Sequence, residues 1–546
     1  MRFGGIVAAL AALWIATPLQ AAWLEVRSPH FIIYSEGSPD AARKFAKNLE
    51  RFDKAVRKLL AFPDVEGNDP NPVTVFLVDS VSQISDLCKG GNEPADKAKA
   101  GKQCRWVAGF YRARAAGSVA FVPRMAGSGP LSLDATTILF HEYAHHLMLA
   151  NSGAAYPAWY VEGFAEFVSN AKLDQKGVVG IGLPANSRAS ALYAEAAMPV
   201  RDLLTANPST LGSTETSIFY ARAWLLTHYL TFATTRDRQL TRYLEAINAG
   251  KSSAAAADET FGDLHALNRE VEAYLRRNRF ASLSVPVTDI APDALRIRQL
   301  SPGEDAMMKV RLQSQRSVNS ETAPAVAAEA RRIAAAYPTD TGAQVALAEA
   351  EDDAGNFDAA EAAADRAVAA EPNNRHALIL KAMAIMHRAS HDNQFDDVTW
   401  RTARRLLVKA NQIEPDAAWP LALFYRSFRE QGRDPTGSAV AALERAATLV
   451  PQDASLRMML VSQYLHDHKY EEARIVLMPL AFDPHAPADN PARKLLEAID
   501  KRGANGLSGA ALLNIDLSSD DETKPESRND QHSPSGPPLF PANRFH

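Results

Sequence analysis

The chain has 546 residues, of which 47% are apolar and 23% charged. At about 150 residues per domain it is too long for one small module, and this composition is not that of a chain disordered throughout. Its 59 Lys and Arg stand against 64 Asp and Glu, a formal charge of −5, with no long basic run; nucleic acid is therefore excluded as an expected partner.

Met1 and Arg2 precede an apolar run of 14 residues, Phe3 to Ala16, followed by Thr17, Pro18 and the small pair Ala21 and Ala22. One positive charge, a run shorter than the ~20 residues of a spanning helix and a small-residue exit predict a secretory signal peptide over 1–22. Cleavage near Ala21 or Ala22 would leave no transmembrane anchor and an exported protein. The two cysteines, Cys88 and Cys104, lie in a Gly- and Lys-rich stretch that reads as a surface loop. Outside the cytosol a disulfide between them would close a loop of about 17 residues, a gain of roughly 3 kcal/mol.

From Trp23 onward the pattern alternates between period two and period 3.6. Phe31 to Tyr34 reads as a strand, Ala41 to Leu60 as an amphipathic helix opened by Ser38, Pro39 and Asp40, and Val73 to Val78 as a buried strand. Trp106 to Tyr111 and Ser118 to Val122 read as two strands joined by a turn at Ala115 to Gly117. From Leu133 to Tyr274 the sequence is almost wholly helical, interrupted at Asn151 to Gly153, Gly177 to Pro184 and Pro199 to Gly212. These features predict an α+β domain over 23–280, a small mixed sheet plus helices. Residues 281–320, with the turn Ser301, Pro302 and Gly303 between alternating apolar residues (Leu295 and Ile297, then Met308, Val310 and Leu312), read as a linker carrying a hairpin.

Beyond it Pro338, Pro372, Pro415, Pro451 and Pro484 recur at intervals of 34, 43, 36 and 33 residues. Such intervals between helical stretches resemble tetratricopeptide repeats, helix pairs that bury their apolar faces only by stacking. Leu347, Gly355, Phe357, Ala360, Ala367 and Pro372 occupy the positions where such a repeat wants a packing Leu, a turn, an aromatic, two small crossing residues and a stop. An all-α solenoid is expected over 321–500, irregular around His391 to Asp397. The tail over 501–546, rich in Ser, Asp, Asn and Pro, is expected to be disordered after about 515.

The chemistry concentrates at His141-Glu142-Tyr143-Ala144-His145, inside an apolar helical run from Asp134 to Ala150. Histidines four apart stand one turn from each other on one helix face, so both imidazoles can reach a single tetrahedral zinc ion. Glu142 is angularly offset from them and free to act on water as a general base. A second apolar helix starts near Pro157 and carries Glu162, seventeen residues after His145, and Glu166, four apart and facing the same way. Two acids on one side of an apolar helix require a cation or donors there. Glu162 is placed as third metal ligand, leaving the fourth position to water, and Glu166 as the group that orients a ligand imidazole. Gly163 is expected to let the two helices pack closely. His146 is expected to be structural.

His141-Glu142-x-x-His145 followed by Trp159-x-x-Glu162-Gly163-x-Ala165-Glu166 resembles the gluzincin zinc metallopeptidases, especially the exported bacterial peptidase MA-like group. The resemblance covers about 120 to 280 well and the preceding sheet loosely. It implies one zinc ion on His141, His145 and Glu162, Glu142 as catalytic acid/base, and Glu166 beside the ligands, where thermolysin itself has an Asp. It also implies an oxyanion-stabilising Tyr or His from a downstream helix, for which Tyr220 is the first candidate and His228 the second.

The expected protein is thus a zinc metallopeptidase domain followed by a tetratricopeptide solenoid, exported to the periplasm of a bacterium or secreted. Its substrate would be a protein or peptide, and the repeats would recruit a protein partner or the substrate through their concave groove. Ser118 to Val122 either edges the cleft and pairs with an extended substrate or lies inside the sheet. Two rivals stand beside this reading: a non-catalytic repeat scaffold with a structural metal site, and a metal-dependent amidase acting on cell-wall material.

Overall fold

A computed structural model describes residues 22–64, 67–90, 104, 109–125, 135–150, 154–174, 176–193, 197–277, 279–483 and 490–505. The expected signal peptide, apart from Ala22, and the expected disordered stretch after 515 lie outside these residues. The last described helix, Pro491–Asn505, runs past the expected start of the tail at 501.

Strands β1 (Trp23–Arg27), β2 (Phe31–Glu36), β3 (Val73–Ser80), β4 (Phe110–Arg112), β5 (Val119–Met125) and β9 (Arg296–Gln299) form one sheet in the order β4-β5-β3-β2-β1-β9. The central strands β5, β3 and β2 are parallel and the outer pairings antiparallel. Strands β6 (Lys172–Leu173), β7 (Val178–Ile181) and β8 (Leu283–Pro286) make a second, antiparallel sheet. Period-two alternation sends Phe31, Ile33, Val75, Leu77, Ala120 and Val122 to one face of the large sheet. There they join Phe52 of the helix Pro39–Leu60 and Phe140 of the helix Ala135–Ala150, whose rings stack at 3.8 Å. The opposite face presents Tyr34, Phe76, Val78, Val119 and Phe121 to the helices Val81–Gly90 and Met308–Gln315.

Several sequence expectations are corrected. Residues 281–320 form no hairpin: β8 belongs to the second sheet, β9 is the edge of the first, and Pro302–Ala306 and Met308–Gln315 are helices. Met308 and Leu312 pack on the sheet while Met307 and Val310 pack on the repeats, so a helix with two apolar neighbours imitates strand alternation. Gly177 to Pro184, read as an interruption, contains β7. Cys88 lies in the helix Val81–Gly90 and Cys104 is buried, so the disulfide that joins them is not a wholly exposed loop clasp. Ser118 to Val122 lies inside the sheet, with β3 on one side and β4 on the other over Val119–Phe121.

Four helix pairs follow: Thr341–Asp353 with Phe357–Ala370, Arg375–His391 with Asp397–Ile413, Ala418–Glu430 with Gly437–Leu449, and Ala454–His466 with Tyr470–Ala481. Each pair turns on one left-handed residue, Gly355, Asn393, Gly432 and His468 in order. The 43-residue interval comes from two helices of 17 residues and the five-residue turn 392–396, where the preceding pair has 13 and 14 and the three-residue turn 354–356. The array does not hang free. The Ala115 amide donates to Asp453 and Asn71 exchanges hydrogen bonds with Asp416 and Ala418, while Arg112 and Arg114 hold the helix before the array through the carbonyls of Arg316 and Gln315. The last helices join the same apolar cluster as Leu267, Val271 and Leu275 of the first domain. Between the repeats and the large sheet lies a chamber of about 910 Å³, bordered by Tyr34, Arg311, Glu349, Arg375, His376 and Trp419.

A buried polar cluster sits under the motif helix Ala135–Ala150. The amide and Nδ1 of His30 bond the two oxygens of Glu50, each at 2.9 Å. Asp53 accepts Arg57 Nε at 2.8 and 3.0 Å and the Tyr143 hydroxyl at 2.7 Å, so a residue inside the motif is tied to the helix Pro39–Leu60. Burial works to lower the His30 pKa, but the Glu50 hydrogen bond and the Asp53 and Glu50 charges outweigh it and raise it to about 9.

This packing is open to two measurements. Leu312→Ala removes buried apolar volume from the second face of the sheet and is expected to cost about 2–5 kcal/mol in urea unfolding; a loss under about 0.5 kcal/mol would show that this helix does not cover the sheet. The raised folded-state pKa of His30 makes its contribution to stability complete below its unfolded value near 6.5 and lost as pH climbs through about 9. Unfolding midpoints at pH 6 and pH 10 should therefore diverge more in the wild type than in His30→Gln, and equal divergence would contradict the assignment.

Candidate metal centre

Three helices build the site. The motif helix Ala135–Ala150 and the helix Ala158–Ser169, which starts at Pro157 and is buried from Trp159 to Ser169, bring their chemistry face to face. The third, Ser213–Phe232, packs behind. Adjacent helical residues point about 100° apart, so with Glu162 facing the motif helix Gly163 must face another neighbour. It does: a Cβ on Gly163 would lie 2.5 Å from the Ala223 carbonyl oxygen of the third helix. The close approach expected of Gly163 is thus to that helix and not to the motif helix.

His141, His145 and Glu162 converge. The two Nε2 atoms are 3.1 Å apart, and Glu162 Oε2 stands 3.3 Å from His141 Nε2 and 3.5 Å from His145 Nε2. A tetrahedral ion with bonds of 2.0–2.1 Å holds its ligands about 3.3 Å from one another. The spacing of these three atoms is that of one triangular face of such a tetrahedron, so the residues fit a zinc ion. Glu162 is fully buried and His141 is 17% exposed, which leaves the centre approachable from the His141 side.

Glu166, also buried, sets Oε1 3.5 Å from Nδ1 of His141, on the opposite edge of the ring from the ligand atom. The same oxygen accepts Arg188 Nη2 at 2.6 Å and Nε at 3.2 Å. Burial is the largest influence on His141 and lowers its pKa, but the Glu162 hydrogen bond and the charges of Glu166, Glu162 and Glu142 together raise it to about 9. Glu142 is half-buried, close enough for its charge to act on His141 and Tyr220.

Tyr220 is brought to the site, its ring edge-on to His141 with centroids 6.1 Å apart and the Arg188 guanidinium 5.0 Å above its face. Burial, then the Glu162 charge, raises its pKa, so the phenol stays a donor at neutral pH. His228 is not at the site: its Nε2 lies 3.0 Å from the carbonyls of Gly182 and Ala281 and its Nδ1 takes the Tyr274 hydroxyl at 2.9 Å. His146 points away too, with Nδ1 2.7 Å from the Tyr111 hydroxyl and a pKa lowered by burial to about 3. The His30, Glu50 and Asp53 cluster has metal-ligand residue types, but Arg57, Tyr143 and the cluster's own hydrogen bonds occupy its oxygens.

Arg188 is the residue sequence reasoning missed. It ends the short 3-10 turn Asn186–Arg188 beyond β7, in a stretch with no periodic pattern. The two buried acids demanded a cation, but nothing local said which one would arrive.

No protein-family profile matches the chain, and no curated protein does. Among solved structures, a thermophilic TPR protein of Thermus thermophilus matches at 18% identity and a TM-score of 0.29, over 36% of this chain and 96% of its own.

Proposed function

We propose that the chain is a zinc-dependent peptidase whose repeats engage protein. The observation that carries this reading is the spacing of His141 Nε2, His145 Nε2 and Glu162 Oε2, with Glu142 as the residue next to the first ligand. Electrostatics support it. Glu142, Glu162 and Glu166 against Arg188 leave a formal charge of −2 with neutral imidazoles, which a divalent cation balances. A purely structural site has no use for Glu142. The Cys88–Cys104 disulfide agrees with export to an oxidising compartment such as a bacterial periplasm.

When bound, zinc supplies Lewis acidity toward the scissile carbonyl and lowers the pKa of water to about 7. The chain's own groups do the rest. Glu142 takes the proton of the attacking water and passes it to the leaving amine as the C–N bond breaks. Tyr220, held protonated, donates to the oxygen on which negative charge develops. Glu166 keeps the His141 ring turned so that Nε2 meets the ligand set.

The test is the purified full-length protein, assayed for bound zinc and for cleavage of an unfolded polypeptide. Glu142→Gln is expected to keep its zinc and lose cleavage by about 10²–10⁴-fold. Zinc with no polypeptide cleavage in the wild type defeats the peptidase reading, and release of fragments from peptidoglycan instead would make it a wall amidase. Tyr220→Phe is expected to lower kcat by about 10²–10³-fold with KM nearly unchanged, and an unchanged kcat would remove Tyr220 from the reaction.

A further inference from the structure

We infer that Arg188 is a positioning residue of the metal centre, an inference that rests on the zinc reading above. It holds both the carboxylate that orients a ligand and the aromatic ring beside it.

Its backbone is anchored. The Arg188 amide donates to the carbonyl of Ala185 at 2.8 Å, Ala185 is buried, and the Asn186 amide bonds the carbonyl of Pro184 at 3.0 Å. From this turn the guanidinium puts both Nε and Nη2 on one oxygen, Oε1 of Glu166. That oxygen is also the one facing Nδ1 of His141. A glutamate has three side-chain torsions, and a contact at 3.5 Å to one imidazole nitrogen does not by itself fix them. Two donors converging from a fixed turn do, and so they fix where the His141 ring finds its partner. The guanidinium also lies over Tyr220, with its carbon 5.0 Å from the ring centroid, which holds that ring by attraction to its face. A single planar cation thus ties β7's outgoing turn, the Glu162 helix and the Tyr220 helix around the ligands. Lysine could replace the charge, but it has no second nitrogen for the converging bond and no planar face for the ring.

The consequence is read in metal affinity, measured by chelator competition with zinc alone on the full-length protein. Arg188→Gln is expected to weaken zinc binding by about 10- to 100-fold, the usual cost of losing such a supporting partner, with Arg188→Lys between it and the wild type. Because Arg188 acts through Glu166, the double variant Arg188→Gln, Glu166→Gln should bind no more weakly than the weaker single variant. Affinity of Arg188→Gln within about twofold of wild type, or losses that multiply in the double variant, would overturn the inference. A wild type that takes up no zinc defeats the peptidase reading instead, so the two failures are distinct. Metal-free thermal unfolding identifies a variant that has not folded, and if Arg188→Gln is one, the Arg188→Lys affinity decides alone: intermediate weakening supports the role, and wild-type affinity refutes it.

Discussion

Two carboxylates stand inside an apolar helix with almost no access to water, and every other feature of the centre answers that fact. A buried charge without a partner costs several kcal/mol, so Glu162 and Glu166 persist in the fold only with positive charge or donors close by. Arg188 answers Glu166. Glu162 faces two imidazole nitrogens, and one of those rings, His141, has a pKa raised by the surrounding acids. A proton on His141 and a divalent ion on all three groups are two answers to one electrostatic demand. On the proposed zinc reading the ion answers it more fully, because the deficit is two charges and the three atoms lie at the separations of a tetrahedral ion's ligands.

The helix that bears the histidines is gripped on both sides. The face that carries His141 and His145 meets the Glu162 helix. Away from that face, Tyr143 donates to Asp53 and stacks on His146, which in turn meets Tyr111 of β4. Phe140 stacks on Phe52. Rotation of the motif helix would break a buried charge network on one side and the ligand set on the other. Gly163 allows the third helix close enough that Tyr220 borders the ligands, which a side chain there would prevent. The site is positioned by regular elements packed against a sheet, which hold its side chains more precisely than loops would.

What was legible in the sequence is what local spacing dictates. Histidines four apart on a helix, and two acids four apart on an apolar helix, announce their own geometry. The left-handed turns of the repeats were only partly visible: Gly355 advertises one, whereas Asn393 and His468 take the same conformation without glycine's freedom. The partner of Gly163 and the arrival of Arg188 depend on which helices and turns meet, and no window of sequence contains that. Met308, Val310 and Leu312 misled for a physical reason. Alternation signals a strand when one face is buried, but a helix buried between two layers can produce it as well.

The position of that helix bears on what the repeats can do. In a free solenoid the concave side is open along its length. Here the first repeats face the large sheet across the chamber bordered by Tyr34 and Trp419, and the turn before the helix Ala454–His466 bonds the β4–β5 turn through Asp453. Arg311 borders this chamber, laid over the Tyr34 ring at 4.2 Å. Tyr34 lies on β2, whose neighbour residue Ile33 packs through the core toward the motif helix. The chamber and the motif helix therefore lie on opposite faces of the same sheet.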